Sequence, residues 1–181
     1  MRYRKGVNMK WTIIGLGNPG DEYASTRHNV GKELVRALED ALPANTKVVE
    51  INVYMNRSGP AIKKAVGSAK GLVVVHDELD LPLGRIKISF GSSPGGHNGV
   101  KSVGQALKSK DFARVRVGIS PSTASGTLKR PDAEDLAKFV LGKFRPAERE
   151  KLKKVKKLVH EALKLIVTEG VERAQTEINS R

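Results

Sequence analysis

The chain has 181 residues, 39% of them hydrophobic and 29% charged, which suits one folded domain with a substantial core rather than two. It contains no cysteine, so disulfides, thiol nucleophiles and thiolate-held metals or iron–sulfur clusters are excluded. The net charge of +14 at pH 7 is spread along the chain and points to a polyanion, while an aromatic content of 4% argues against a stacking platform for single-stranded bases.

Residues 1–10, "MRYRKGVNMK", are basic without an apolar h-region, so they read as a flexible extension and not as a secretory signal. No apolar run approaches the roughly 20 residues that a membrane helix needs, and a cytoplasmic protein is expected. "WTIIGL" at 11–16 predicts a buried strand, followed by helical spacing at Val30, Leu34, Val35, Leu38 and Leu42. "KVVEINV" at 47–53 predicts a second strand. Ser58 as cap and Pro60 in the first turn predict a helix running until Gly71. "LVVVH" at 72–76 is apolar without alternation, as in a central strand covered on both faces, and "DLPLG" is expected to turn it.

"RIKISF" at 85–90 alternates, and "NGVKSVGQALKS" predicts a helix with Val100, Val103 and Leu107 inward. "ARVRVGIS" alternates again, with Arg114 and Arg116 on one side. The Ser-, Thr-, Gly- and Pro-rich stretch from Pro121 to Pro131 reads as a mobile loop. "PAEREKLKKVKKLVHEALKLIVTEG" puts Leu152, Val155, Val159, Ala162 and Ile166 on one stripe opposite lysines, an amphipathic helix packed on the body. The alternation of strands and helices over 11–181 predicts an α/β fold: a single three-layer domain with a mixed, mostly parallel twisted sheet and helices on both faces.

Three motifs invite chemistry. "GLGNPG" spells the dinucleotide fingerprint G-x-G-x-x-G, but "DEYASTRHN" separates it from the next helical periodicity, and Pro19 removes a donor where a phosphate needs one. The only acid near the second strand, Glu50, falls inside it. The loop is better read as carrying Asn18, Tyr23 and His28 above the carboxyl end of the first strand, where open α/β sheets place their sites. "GSSPG" at 91–95 has the nucleophile-elbow pattern, yet the oxyanion donor after Ser93 is replaced by Pro94, which has no N–H. "HDELD" at 76–80 with His97 suggests a metal, but metal-ligand spacing is absent, and no metal or cofactor is expected. Asp77, at the carboxyl end of the most apolar strand, reads instead as a carboxylate that orients a histidine and fixes its tautomer.

In order, "GLGNPGDEYASTRHNVG", "YMNRSG", "HDELDLPLG", "GGHNGVKS", "RVRVGIS" and "FVLGKF" resemble the bacterial-type peptidyl-tRNA hydrolase family. The resemblance implies a monomeric α/β enzyme, without an obligate protein partner, that cleaves the ester joining a peptide to the terminal ribose of tRNA. On that basis His28 matches the base that deprotonates a water and Asp77 the carboxylate that holds it. Asn18 matches the residue that distinguishes blocked from free aminoacyl-tRNA. Tyr23, Tyr54, Asn56 and Asn98 match substrate contacts, and Lys87, Lys101, Arg114 and Arg116 would contact tRNA phosphates. An activated ester needs only a positioned water, one base and neutral amide donors.

Two departures from the family pattern stand out. The segment between Asn29 and Asn56 is shorter than is usual, and "EINVYMN" replaces the usual Lys-Pro lead into "MN". The strongest rival from another class is an RNA-binding protein of the same fold without hydrolysis, such as an intron-splicing factor.

Overall fold

The computed structural model describes residues 9–181, so the flexible extension expected at 1–10 lies outside the described residues apart from Met9 and Lys10. Strand β1 (Trp11–Gly15) is followed by α1 (Val30–Arg36), β2 (Thr46–Val48) and α2 (Ser58–Val66). Then come β3 (Leu72–Pro82), β4 (Ile86–Phe90), α3 (Asn98–Leu107) and β5 (Ala113–Ser120), with α4 (Leu136–Leu141), α5 (Pro146–Glu169) and α6 (Val171–Asn179) after them. The sheet order is β2-β1-β3-β5-β4, parallel except for β4, which runs antiparallel to β5. This is the mixed, mostly parallel three-layer sheet that the alternation of elements predicts.

The central strand β3 has no alternation because both its faces are covered. Val73 and Val75 face one core with Val159 and Ile166 of α5, and Leu72 and Val74 face the other with Ile62 of α2 and Val103 of α3. All eight side chains are buried, and each contributes about 1.5–3 kcal/mol by leaving water. Helix α1 lies so close to the sheet that a Cβ on Gly31 would run into the Val75 carbonyl, and one on Gly15 into the Gly31 carbonyl. This backbone-to-backbone approach holds the residues just before α1 over the carboxyl end of β3.

Helix α5 begins at Pro146, where the Glu148 carboxylate accepts the Arg145 N–H at 2.7 Å. Its predicted stripe is buried throughout. Gly170, at φ 90°, ends it and starts α6, whose Asn179 accepts the Ile88 N–H at 2.8 Å and donates to the Ile88 carbonyl at 2.9 Å. Edge strand β4 is thereby covered on its open side.

Several expected bounds are corrected. The second strand is only Thr46–Val48, and Glu50 instead pairs with Lys32 at 3.2 Å and Arg36 at 2.8 Å on the surface. Ser58 is the first helical residue, not the cap: its hydroxyl donates back to the Met55 carbonyl. That helix stops at Gly67, whose φ of 72° a side chain would strain, and not at Gly71. Strand β3 turns within "DLPLG", as expected, but only after Pro82, at Leu83 and Gly84, so it carries Glu78 and Asp80 along with it; its register against β5 shifts between Glu78 and Pro82.

Candidate active site

A cleft of about 1030 Å³ opens at the carboxyl ends of the parallel strands, lined by Asn18, His28, Tyr54, Asn56, Asp77 and Asn98 among others. Its first wall is the glycine loop, which is locked by amides. Asn29 Oδ1 accepts the Asn18 N–H at 2.9 Å, and Asn29 Nδ2 donates to the Asn18 carbonyl at 2.9 Å. Asn18 Oδ1 accepts the Met55 N–H at 2.8 Å, so its Nδ2 is the group left to donate elsewhere. His28 sits in a single 3-10 turn, Arg27–Asn29, directly before α1. Arg27 anchors that turn from below: its buried guanidinium lies 4.4 Å over the Phe139 ring and donates to Glu148 at 2.8 Å.

Asp77 is the centre of the site. It is 3% exposed, and its Oδ1 accepts hydrogen bonds from His28 Nδ1 and His97 Nε2, each at 2.9 Å, with Oδ2 3.1 Å from His28 Nδ1. Burial alone would push this carboxyl up, but the charge and hydrogen bonds of His97 and His28 outweigh it and hold the group well below the usual carboxylate range. An ionised carboxylate can only accept, so His28 must donate through Nδ1–H, and in its neutral form the lone pair sits on Nε2. His97 is fixed at both ends, because its Nδ1 caps α3 by accepting the Val100 N–H at 3.3 Å. Behind it, His76 is completely buried, donates through Nδ1–H to the Asp77 carbonyl at 2.7 Å and stands edge-on to His97 with ring centroids 4.7 Å apart. Burial, with His97 beside it, pushes the His76 pKa well down, so this ring is neutral.

His76, Glu78 and Asp80 do follow one side of the extended strand, yet each is taken by its own partner: the Asp77 carbonyl, Arg116 and Arg130. Asn56 and Asn98 present exposed side chains to the cleft from the turn before α2 and the first turn of α3. Tyr54 is 53% exposed on the rim, and Tyr23 does not line the cleft but stands edge-on behind Tyr54 at 6.2 Å between ring centroids. Ser93 of the elbow-like motif is exposed and does not line the cleft; its backbone carbonyl accepts from Arg114 at 2.8 Å.

Of the four basic residues, three are open to solvent to some degree. Lys87 and Lys101 are exposed, and Arg116, half-buried, faces Lys87 across the β4–β5 ladder. Arg116 donates from Nε to Glu78 at 2.9 Å and from Nη1 to Ser89 at 3.2 Å. Arg114 is a correction. It is 3% exposed, and its guanidinium donates to the Ser92 hydroxyl and the Ser93 carbonyl, so it braces the 91–96 loop from beneath and cannot reach a phosphate as placed. The alternation puts it on the same face as Arg116, but that loop covers its end of the strand. Asn29 is not legible in the sequence as a site residue, and His97 figures there only as a metal candidate that is set aside. For His97 the available signal was its place in "GGHNG", immediately before a helix and after two glycines at φ 60° and 83°.

Among the described residues no helix is long and apolar enough to cross a membrane. The peptidyl-tRNA hydrolase family model matches residues 12–181. A peptidyl-tRNA hydrolase of Syntrophotalea carbinolica is 35% identical over 193 residues, covering 93% of this chain and 96% of that protein. One from Mycobacterium marinum is 37% identical, covering 93% and 96%. The crystal structure of peptidyl-tRNA hydrolase from Acinetobacter baumannii superposes with a TM-score of 0.79 at 30% identity, over 97% of this chain and 98% of that one. With sequence, length and fold in agreement from end to end of the described domain, the chain belongs to the peptidyl-tRNA hydrolase family.

Proposed function

We propose that this chain hydrolyses the ester between a peptide and the terminal ribose of tRNA, with His28 as the general base. The observation that carries the reading is the His28–Asp77 pair: a buried carboxylate takes Nδ1–H and leaves Nε2 as the nitrogen free to accept a proton. In this reading a water in the cleft attacks the ester carbonyl as Nε2 takes its proton, and Asp77 stabilises the imidazolium that forms. Collapse of the tetrahedral intermediate expels the ribose oxygen, which takes the proton back from Nε2, leaving a free peptide carboxylate and tRNA. Neutral donors suit the developing oxyanion, and Asn98 and Asn18 Nδ2 lie in the same cleft to provide them. His97 is a positioning residue that shares the Asp77 carboxylate.

Asn18 also accounts for preference for N-blocked substrates, because a locked amide in the cleft wall can hydrogen-bond the first peptide unit. Tyr54, backed by Tyr23, and Asn56 extend that wall. Lys87, Lys101 and Arg116 supply phosphate contacts for a folded RNA. The enzyme acts as a cytoplasmic monomer and needs no metal.

The test compares release from N-acetyl-aminoacyl-tRNA with release from free aminoacyl-tRNA, at neutral pH with no metal added. Preferential hydrolysis of the blocked substrate is expected. Equal or no release would sink the enzyme reading, and tight tRNA binding without release would favour the RNA-binding alternative.

A further inference from the structure

Asp77 Oδ1 is approached at 2.9 Å by two imidazole nitrogens, and the ligand atoms of His28, Asp77 and His97 all lie within 4.8 Å of one another. Two imidazoles and one carboxylate are a donor set that suits zinc and its borderline-soft neighbours. We propose that this cluster is a binding site for a divalent cation of the zinc class, and that occupancy turns the base off. The inhibitory half rests on the hydrolase reading above; the binding itself does not.

The consequence for the base follows from the tautomer. A cation held by His28 Nδ1 takes the lone pair there, so the ring proton moves to Nε2 and no lone pair remains for water. His97 binds through Nε2 by moving its own proton to Nδ1, which gives up only the 3.3 Å contact with the Val100 N–H. Bonds of about 2.0–2.1 Å in a tetrahedral site set the donors about 3.3 Å apart, so each imidazole moves back from Asp77 by a few tenths of an ångström and the two imidazole nitrogens, now within 4.8 Å, settle at the same spacing from each other. The side chains of His28 and His97 are 14% and 7% exposed on the cleft side, where that movement is open and a water can complete the coordination. Competing sites are few. The chain has four histidines and no cysteine. His76 is fully buried, and His160 lies apart with Nε2 on the Ala41 carbonyl at 3.0 Å. Among the described residues no other three-residue His/Asp/Glu grouping has converging ligand atoms.

The test titrates the metal-free protein with cobalt(II), read by the visible absorption of four-coordinate cobalt, and then displaces it with zinc. One equivalent bound is expected, with zinc affinity falling at least about tenfold in His97→Phe and unchanged in His160→Ala. Hydrolysis of N-acetyl-aminoacyl-tRNA should fall along the same zinc-buffered curve as occupancy, and a chelator should restore it. Absence of binding, binding that is indifferent to His97→Phe, or hydrolysis that persists or rises at full occupancy would overturn the proposal. Circular dichroism checks that His97→Phe folds, with Asp77→Asn as the second variant. If the metal-free protein hydrolyses nothing, the hydrolase reading fails while the cobalt titration still decides the site.

Discussion

The Asp77 centre and the basic edge of the sheet are built on opposite principles. Around Asp77 polar groups hold one another: two histidines share one carboxylate, a third bonds its carbonyl, and paired asparagines lock the loop above it. At the edge, Lys87 and Lys101 are solvated and act at a distance, with only Arg116 held in place by Glu78 and Ser89. The first region sets where a proton goes, to a fraction of an ångström; the second supplies attraction that tolerates displacement. A substitution at the centre should therefore act on kcat, and one at the edge on binding and its salt dependence.

The largest expected effect is at His28. His28→Ala should lower kcat about 10²–10⁴-fold while the dissociation constant for tRNA stays within a factor of about two. Asp77→Asn keeps the shape and an acceptor at Oδ1, but it removes the charge that stabilises the imidazolium and sets an NH2 group against His28 Nδ1, so kcat should fall in the same range. Single-turnover hydrolysis alongside tRNA binding checks both. A His28→Ala protein with full kcat would break the contrast at its root.

Arg114 joins the two regions, and its effect should be intermediate. Its buried guanidinium braces the loop that carries His97, so Arg114→Met leaves the Ser93 carbonyl without its donor and should cost roughly 1–3 kcal/mol of stability. Because Arg114 is covered, the salt dependence of tRNA binding should not change. A changed salt slope would return Arg114 to the phosphate-binding edge.

A smaller effect tests how dry the centre is. Burial lowers the His76 pKa well below 6.5, so the unfolded chain binds a proton that the folded chain refuses. Stability is then complete above about pH 6.5 and falls as pH drops below it, by at most about 1.4 kcal/mol per pH unit for this one group. His76→Phe should flatten the stability profile between about pH 5 and 6.5 relative to the parent, by denaturant unfolding. Parallel profiles would mean that His76 is protonated in the folded state. Asp77 acts in a lower window: its folded pKa lies below 3.8, so its contribution is full above that value and is lost only in stronger acid.

Much of the centre was legible because it is tied to local pattern. The unalternating "LVVVH" marks a doubly covered strand, and a carboxylate at its carboxyl end falls where α/β sheets bind ligands. The gap before the first helical periodicity, Pro19 and the place of Glu50 together set aside the nucleotide reading, and Pro94 set aside the elbow. Partnerships that cross the fold were less legible. His97 reaches Asp77 only after three glycines at positive φ turn the 91–96 loop, and Asn29 reads as a helix-start residue until it meets Asn18. Arg114 and Arg116 have the same parity, and nothing local says which half of that face is covered. How far β3 runs into "DLPLG" was not legible either: Glu78 and Asp80 pair with Arg116 and Arg130 along the extended strand, which turns only at Leu83 and Gly84.

The smallest effect is at the edge, and the choice of residue decides whether it can be read. Arg116→Ala would remove a phosphate contact but would also leave the Glu78 carboxylate, only 5% exposed, without its partner, so lost binding and lost stability would mix. Lys87 stands beside Arg116 across the ladder, exposed and, among the described residues, without an ion pair. Lys87→Ala should weaken tRNA binding a few-fold at low salt and reduce the salt slope by about one, with kcat at saturating substrate unchanged. Arg116→Ala paired with Glu78→Gln should repeat that pattern if the ion pair only holds the guanidinium in place. If the double variant loses kcat instead, Glu78, next to Asp77 on β3, carries the influence of the edge into the centre, and the two regions are not separable.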